Sequence, residues 1–420
     1  MSGESNNISR RSLLTATASV ASAIGLSRPS AVLAATAQRK VTESVPFYGA
    51  HQAGIVTEQQ HHTYFAAFDV TATKKSDLIA LFKTWTEASA RLTAGLPVES
   101  ATNGYDTSQQ LIDSGETVGL SPERLTLTFG FGPELFVKDG NDRFGLRAHQ
   151  PEALATLPVF PGDKLIESKC GGDLSVQACA DDPQVAFHAV RQLARLADGV
   201  AQIRWVQSGF LPAPEDDTTP RNLMGFKDGT QQPQTFDGVV WAGDEGPDWM
   251  RAGSYLVVRK IRIALEHWDR TPVDFQEETI GRRKQSGAPL GAKREFDPLD
   301  LAAVDSEGKR VIADTAHVRL ASAASNGGAQ ILRRAFSFND GVNFTAERWP
   351  PWRQGLEYDA GLLFISYQRD PRSGFMKIFE RMSKVDMLNQ FTTHIGSGVF
   401  ACPPGVAEGG FIGERLFHEA

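Results

Sequence analysis

The sequence predicts an α+β chain made of two ferredoxin-like units, each a β-α-β-β-α-β run with an antiparallel sheet. Three observations predict it. The chain has 420 residues, more than one small core accommodates, which points to two domains. Strand-like and helix-like stretches follow one another in similar order in both halves. Between the halves lies LPAPEDDTTP, residues 211–220, rich in proline and acid and without periodicity, which reads as a linker.

In the first half, TYFAAFDV (residues 63–70) has strand composition. Ser76 is placed to cap the helix that follows, with Leu78, Leu81, Phe82, Trp85 and Leu92 on one face and Gly95 at its end. RLTLTFGFG (124–132) alternates Leu125, Leu127 and Phe129 as a half-buried strand does, and DLSVQACA (173–180) is another strand. Asp182 then caps a helix that Pro183 opens. Ala186, Val190, Leu193 and Ala197 form its apolar face, and Gly199 stops it. In the second half, residues 255–263, 330–338 and 361–368 read as strands, and Phe375, Ile378, Phe379 and Met382 mark a late helix. Residues 281–310 are polar and rich in Gly, Lys and Asp, which predicts a long surface loop. The expected domains are 38–215 and 216–420.

Residues 1–37 read as a targeting segment and stand outside the fold. Arg10-Arg11 is a twin-arginine pair, residues 13–26 are weakly apolar, and Ala35-Thr36-Ala37 offers a small-residue cleavage site. Basic, apolar and small-residue parts in this order predict export by the twin-arginine (Tat) route, to the periplasm or beyond. Cargo of that route travels folded, which favours a cofactor inserted in the cytoplasm. Loss of residues 1–37 removes Arg10, Arg11, Arg28 and Glu4 and moves the net charge from −7 to −9. A net acidic chain without a long basic run is a poor nucleic-acid binder. No apolar run is long enough to span a bilayer. Three cysteines, Cys170, Cys179 and Cys402, do not describe a disulfide framework. The absence of C-x-x-C leaves zinc-ribbon and c-type haem attachment without support.

The nine histidines form no H-E-x-x-H pair, and no P-loop, Rossmann or G-x-S-x-G fingerprint appears. What remains is an ordered set in the second half: Asp228 in NLMGFKDGT, His317 in TAHVRL, then Arg333 and Arg334 in ILRRAFSF. Asp-Gly alone is a turn signal. A lone histidine alone is more often structural than a ligand.

Taken together with PFYGAHQAGI (46–55), GLLFISYQRD (361–370) and GSGVFACPPG (396–405), the set resembles the dye-decolourising (DyP-type) haem peroxidases. It is most similar to their Tat-exported deferrochelatase/peroxidase branch from bacterial iron-uptake operons, and the resemblance covers nearly the whole mature chain. It implies one haem b per chain, held mainly by the C-terminal domain. It implies His317 as the proximal axial ligand of the iron. Asp228 is implied as the distal base that moves a proton between the two peroxide oxygens, with Gly225 and Gly229 allowing close approach to the porphyrin. Burial beside an apolar ring and haem would raise the Asp228 pKa, so a cation must offset it. Arg333 is the implied cation, which stabilises charge as the O–O bond breaks. Gly229, Thr230 and Gln231 match positions that line the haem. Arg334, next along a strand, should point away, as a solvated or propionate-facing charge.

The implied activity is hydrogen-peroxide-dependent oxidation of dyes, phenols or other bulky one-electron donors through an oxoferryl intermediate. The alternatives are a deferrochelatase, which removes iron and leaves the porphyrin whole, and a haem carrier, against which Asp228 and Arg333 argue. The resemblance admits iron-uptake permease components and a second copy of the chain as partners. Of the aromatic residues in the second half, Trp241, Trp249, Trp268, Trp349, Trp352 and Tyr358 are expected to pack, although in this family surface aromatics can carry oxidising equivalents. Three departures stand out. Gln232-Pro233 replaces Asn-Pro, and Ser322-Ala323-Ala324 replaces Asn-Pro-Arg, with loss of a propionate-binding arginine. Gln390 replaces an acid that could bond the far nitrogen of the proximal histidine, a role for which Asp386 is the other candidate.

Overall fold

The computed structural model describes residues 43–98, 113–213, 218–346 and 354–419, so residues 1–37, Trp349 and Trp352 lie outside the described residues. Residues 41–420 form one compact unit. In chain order the first half runs β1 (His62–Val70), α1 (Lys75–Thr93), β2 (Thr126–Phe131), α2 (Pro133–Phe136), β3 (Leu174–Ala180), α3 (Pro183–Leu196) and β4 (Ala201–Phe210). The second half runs β5 (Ser254–Ile263), α4 (Leu265–Asp269), α5 (Val273–Ile280), α6 (His317–Ala321), β6 (Leu332–Arg333), β7 (Phe336–Ala346), β8 (Gln354–Gln368), α7 (Lys377–Val385), β9 (Thr392–Cys402) and α8 (Glu414–Glu419).

Both halves have the same topology. The first sheet is ordered β4-β1-β3-β2 and the second β9-β5-β8-β7, with every pair antiparallel. This is the ferredoxin-like order in each half. The two sheets join at two single pairings, Phe131 with Ala401 and Phe210 with Ser337, so eight strands close a ring and β6 adds to β8. Strand alternation then sorts the side chains. Phe65 and Ala67 of β1, Leu256 and Val258 of β5, Leu363 and Ile365 of β8, and Phe400 of β9 meet in one buried cluster. The opposite face of the first sheet packs Phe68 and Val70 against α1 and α3, where Trp85 is buried and donates to the Leu193 carbonyl at 2.8 Å.

Several local expectations change. Lys74, with no side-chain cap bond, precedes α1, and Ser76 sits inside the helix with its hydroxyl on Asp77. Asp182 does cap α3, accepting from Gln184 N at 2.7 Å and Val185 N at 3.2 Å. The stretch 330–338 is two strands, β6 and β7, with Arg334 and Ala335 between them. The strand β4 escaped the sequence reading, because Ile203, Val206 and Phe210 face outward and blur the apolar alternation.

Candidate functional site

A cavity of about 760 Å³ lies against β5, β8 and β9, within the range of ordinary ligand pockets. Leu362 and Phe364 of β8 line it, while their neighbours Leu363 and Ile365 turn into the inter-sheet cluster. It therefore sits on the outer face of the second sheet. The turn at 222–234, α6, α7 and part of 281–310 cover it.

The sequence dictates the turn that carries Asp228. The Asn222 side-chain oxygen accepts from Met224 N at 3.0 Å and from Phe226 N at 3.3 Å, and Gly225 N donates to the Asn222 carbonyl. Gly225 and Gly229 have φ of +83° and +111°, where L side chains are strained. Only Gly229 lines the cavity. A Cβ on Gly225 would meet the Lys284 side chain at 2.8 Å, so this glycine tightens the turn rather than admitting a ligand. Asp228 N is tied to the Pro220 carbonyl at 2.9 Å.

Arg333 Nη1 donates to Asp228 Oδ1 at 2.9 Å, and Nη2 reaches the Gln231 carbonyl at 3.3 Å. Gln232, a departure noted in the sequence, has a structural role. Its Oε1 accepts from Arg333 N at 3.1 Å and its Nε2 donates to the Arg333 carbonyl at 2.8 Å. The carboxamide thus extends the edge of β6 and fixes the backbone that carries the guanidinium. Gly229, Thr230 and Gln231 all line the cavity, but the Thr230 hydroxyl is spent on Glu295 Oε1 at 3.0 Å. Glu295 also pairs with Lys227. Burial pushes this carboxyl up, but hydrogen bonds from Lys227, Thr219 and Thr230 prevail and hold it below the usual range. Residues 281–310 are therefore not simply a surface loop. Through Glu295 they clamp both sides of the Asp228 turn, and Arg282 in turn holds the Glu295 carbonyl at 2.9 Å.

His317 opens α6 and lines the same cavity. Its Nδ1 bonds Asp386 Oδ2 at 2.8 Å, and the Asp386 side chain is 2% exposed. Burial would lower the imidazole pKa, but the adjacent carboxylate prevails and raises it above the ordinary value. Asp386 takes the place expected for an acid at 390. The Gln390 amide bonds the Met387 carbonyl instead. With Nδ1 engaged, Nε2 is the nitrogen left for a metal. Ser322, Ala323 and Ala324 line the cavity without a cation, and Ser322 caps the turn that follows.

Arg334 is neither solvated nor in the cavity. It is buried, bonded to the Thr57 carbonyl and to Gln60 Oε1, tying the second half to the first. Trp249 and Trp268 are buried packing residues, and Trp268 Nε1 holds the Met224 carbonyl at 3.0 Å beneath the Asp228 turn. Trp241 is half-buried and stacks on His51, with ring centroids 3.8 Å apart. Tyr358 is exposed.

The chain matches the family models of the Dyp-type peroxidase N-terminal part over residues 52–211 and of the C-terminal part over residues 219–407. It belongs to the Dyp-type peroxidase family, whose members are haem enzymes. It is 38% identical over 380 residues to a protein of Escherichia coli (strain K12) named Deferrochelatase, a match covering 87% of this chain and 85% of that one. Ferric DtpA from Streptomyces lividans is 38% identical, covers 90% of this chain and 98% of its own, and superposes with a TM-score of 0.81. A DyP-type peroxidase from Streptomyces coelicolor is also 38% identical, with a TM-score of 0.80, covering 90% of this chain and 97% of its own.

The residues fit a haem. The cavity joins apolar walls to an imidazole whose far nitrogen is fixed by a buried carboxylate, and to a carboxylate–guanidinium pair.

Proposed function

We propose that this chain is a hydrogen-peroxide-dependent peroxidase that binds one haem b and oxidises dyes, phenols or other bulky one-electron donors. One observation carries the reading. The Asp386-held imidazole of His317 and the Asp228–Arg333 pair line a single cavity. Haem b, when bound, supplies the iron at which peroxide is reduced and the conjugated ring that shares the oxidising equivalents. His317 Nε2 would hold the iron. Asp386, as acceptor on Nδ1, orients the ring and strengthens it as a donor. Elsewhere on the cavity wall, Arg333 occupies Asp228 Oδ1. That leaves Oδ2 to take the proton from one peroxide oxygen and return it to the other, which departs as water. The Arg333 guanidinium supplies the charge that stabilises the separating oxygens. Gly229, Thr230 and Gln231 form the wall beside the ring.

Removal of iron from haem is the second reading, favoured by the Escherichia coli relative's name. Against it, each carboxylate lining the cavity already has a partner: Asp228 with Arg333, Glu295 with Lys227, Asp297 with Arg294 and Asp386 with His317. We also propose the division into 38–215 and 216–420, with haem held mainly by the second part, and export by the Tat route from the Arg10-Arg11 signal. Permease components of an iron-uptake system fit that location.

The test is dye oxidation by the haem-loaded protein with peroxide, with released iron measured in parallel. Asp228→Ala and Arg333→Leu are expected to keep haem and lose turnover. His317→Ala is expected to lose the axial-ligand signature of the haem spectrum. Stoichiometric iron release without dye oxidation would replace the first reading by the second.

A further inference from the structure

The cavity has a second histidine that the peroxidase reading does not use. His394 of β9 lines it, pairs across the sheet with Ile261 of β5, and is 8% exposed. Its ring lies against Phe379 of α7, centroids 4.7 Å apart. Behind it stands a fully buried ion pair. Arg259, 0% exposed, donates from Nε to His394 Nδ1 at 3.1 Å, from Nη1 to Ser397 Oγ at 3.0 Å, and from Nη2 to the Asp163 carboxylate. The guanidinium also packs near the rings of Phe160 and Phe379, at 5.7 and 5.6 Å.

This arrangement fixes the imidazole. A guanidinium only donates, so Nδ1 must be the unprotonated nitrogen. The ring is then the Nε2–H tautomer. Burial, and after it the Arg259 charge, push the His394 pKa down to about 3, so the imidazole stays neutral. No described residue accepts a hydrogen bond from Nε2. A buried ion pair is expensive and is often replaceable by apolar residues without loss of stability. Here its geometry presents one neutral N–H donor on the wall of an apolar cavity.

We infer that His394 Nε2–H is the recognition group for a carboxylate of the bound ligand. This rests on the haem b reading. The rim of haem b carries methyl, vinyl and carboxyethyl groups, and only its two carboxylates accept strong hydrogen bonds. His394 therefore selects where one carboxylate lies and sets the rotation of the ring about its iron. The Asp163–Arg259 pair is a positioning device for that donor.

The experiment is a binding cycle with haem b and haem b dimethyl ester as probes, on the purified full-length protein, read as absorbance titrations. The variants are His394→Leu, which removes the donor, and His394→Gln, which keeps an N–H. A hydrogen bond to a charged acceptor implies that His394→Leu weakens haem b by about ten- to a hundredfold. The diester should weaken by less than about threefold, with His394→Gln recovering most of the loss for haem b. Equal weakening of both probes would mark a packing role and overturn the inference, as would no weakening of either. Failure of the wild type to bind haem b at all would instead sink the peroxidase reading. If His394→Leu does not fold, Arg259→Lys decides. Lysine retains the positive charge but not the bond that sets the tautomer, so selective loss of haem b over the diester is again expected, and parallel loss contradicts it.

Discussion

Glu295 shows how a residue outside the proposed reacting set holds the turn that carries one inside it. It touches Lys227 and Thr230, which flank Asp228 on either side, and it comes from a stretch whose composition says surface loop. Nothing in its sequence neighbourhood signals that partnership, because the contacts span 65 to 68 residues. Its folded pKa is depressed, so its stabilisation is fully present above the ordinary glutamate range and is lost as pH falls through the lower folded value. Glu295→Gln should therefore unfold more easily than wild type in urea at pH 7, and the gap should close in acid. A gap independent of pH would contradict the clamp. The acid–histidine–arginine order was legible because it stands in stretches that resemble a family's motifs, and the structure brings all three side chains to one cavity. Asp386 was legible only as an alternative to position 390, and His394 was not legible at all, since what makes each matter is a partner far along the chain, His317 69 residues away and Arg259 135 residues away.

At the scale of elements, the strongly patterned pieces are the ones the sequence announces. The α3 helix has a capping aspartate, a proline at its first position and a single apolar face. Asp182→Ala should cost about 1 kcal/mol of unfolding free energy by urea titration, with no change in haem binding, because neither the cap nor α3 lines the cavity. A larger loss coupled to haem release would show that α3 and the site are linked. Elements set by tertiary context were less legible. Ser76 has the right chemistry to cap α1, yet the helix begins at Lys75, two residues earlier than that role allows. The ladder is interrupted at Arg334 and Ala335, between β6 and β7, and Arg333 faces the cavity while Arg334 reaches the first half. Strand β4 was hidden by its outward apolar residues, which the ring closure leaves at the surface.

At the scale of the molecule, the repeated 4-1-3-2 topology closes one ring, and the second half uses its outer face for the cavity that holds the candidate site. The first half has the same topology but fills that face with α1 and α3 around Trp85. In the second half, α4, α5, α6 and the 281–310 stretch replace the single first helix, and the space they leave is the cavity. No helix among the described residues is long and apolar enough to cross a membrane. On the proposed function, this cavity cleaves peroxide with Asp228 and Arg333. The direct measurement is rapid-mixing spectroscopy of the haem-loaded protein with hydrogen peroxide, beside Asp228→Ala and Arg333→Leu. A fast change of the haem spectrum is expected in wild type. Slowing of about a hundredfold or more is expected in Arg333→Leu, as for loss of one preorganised donor, and slowing in Asp228→Ala, with haem still bound in both. Equal rates in all three proteins, or only slow bleaching in wild type, would contradict the role of this pair.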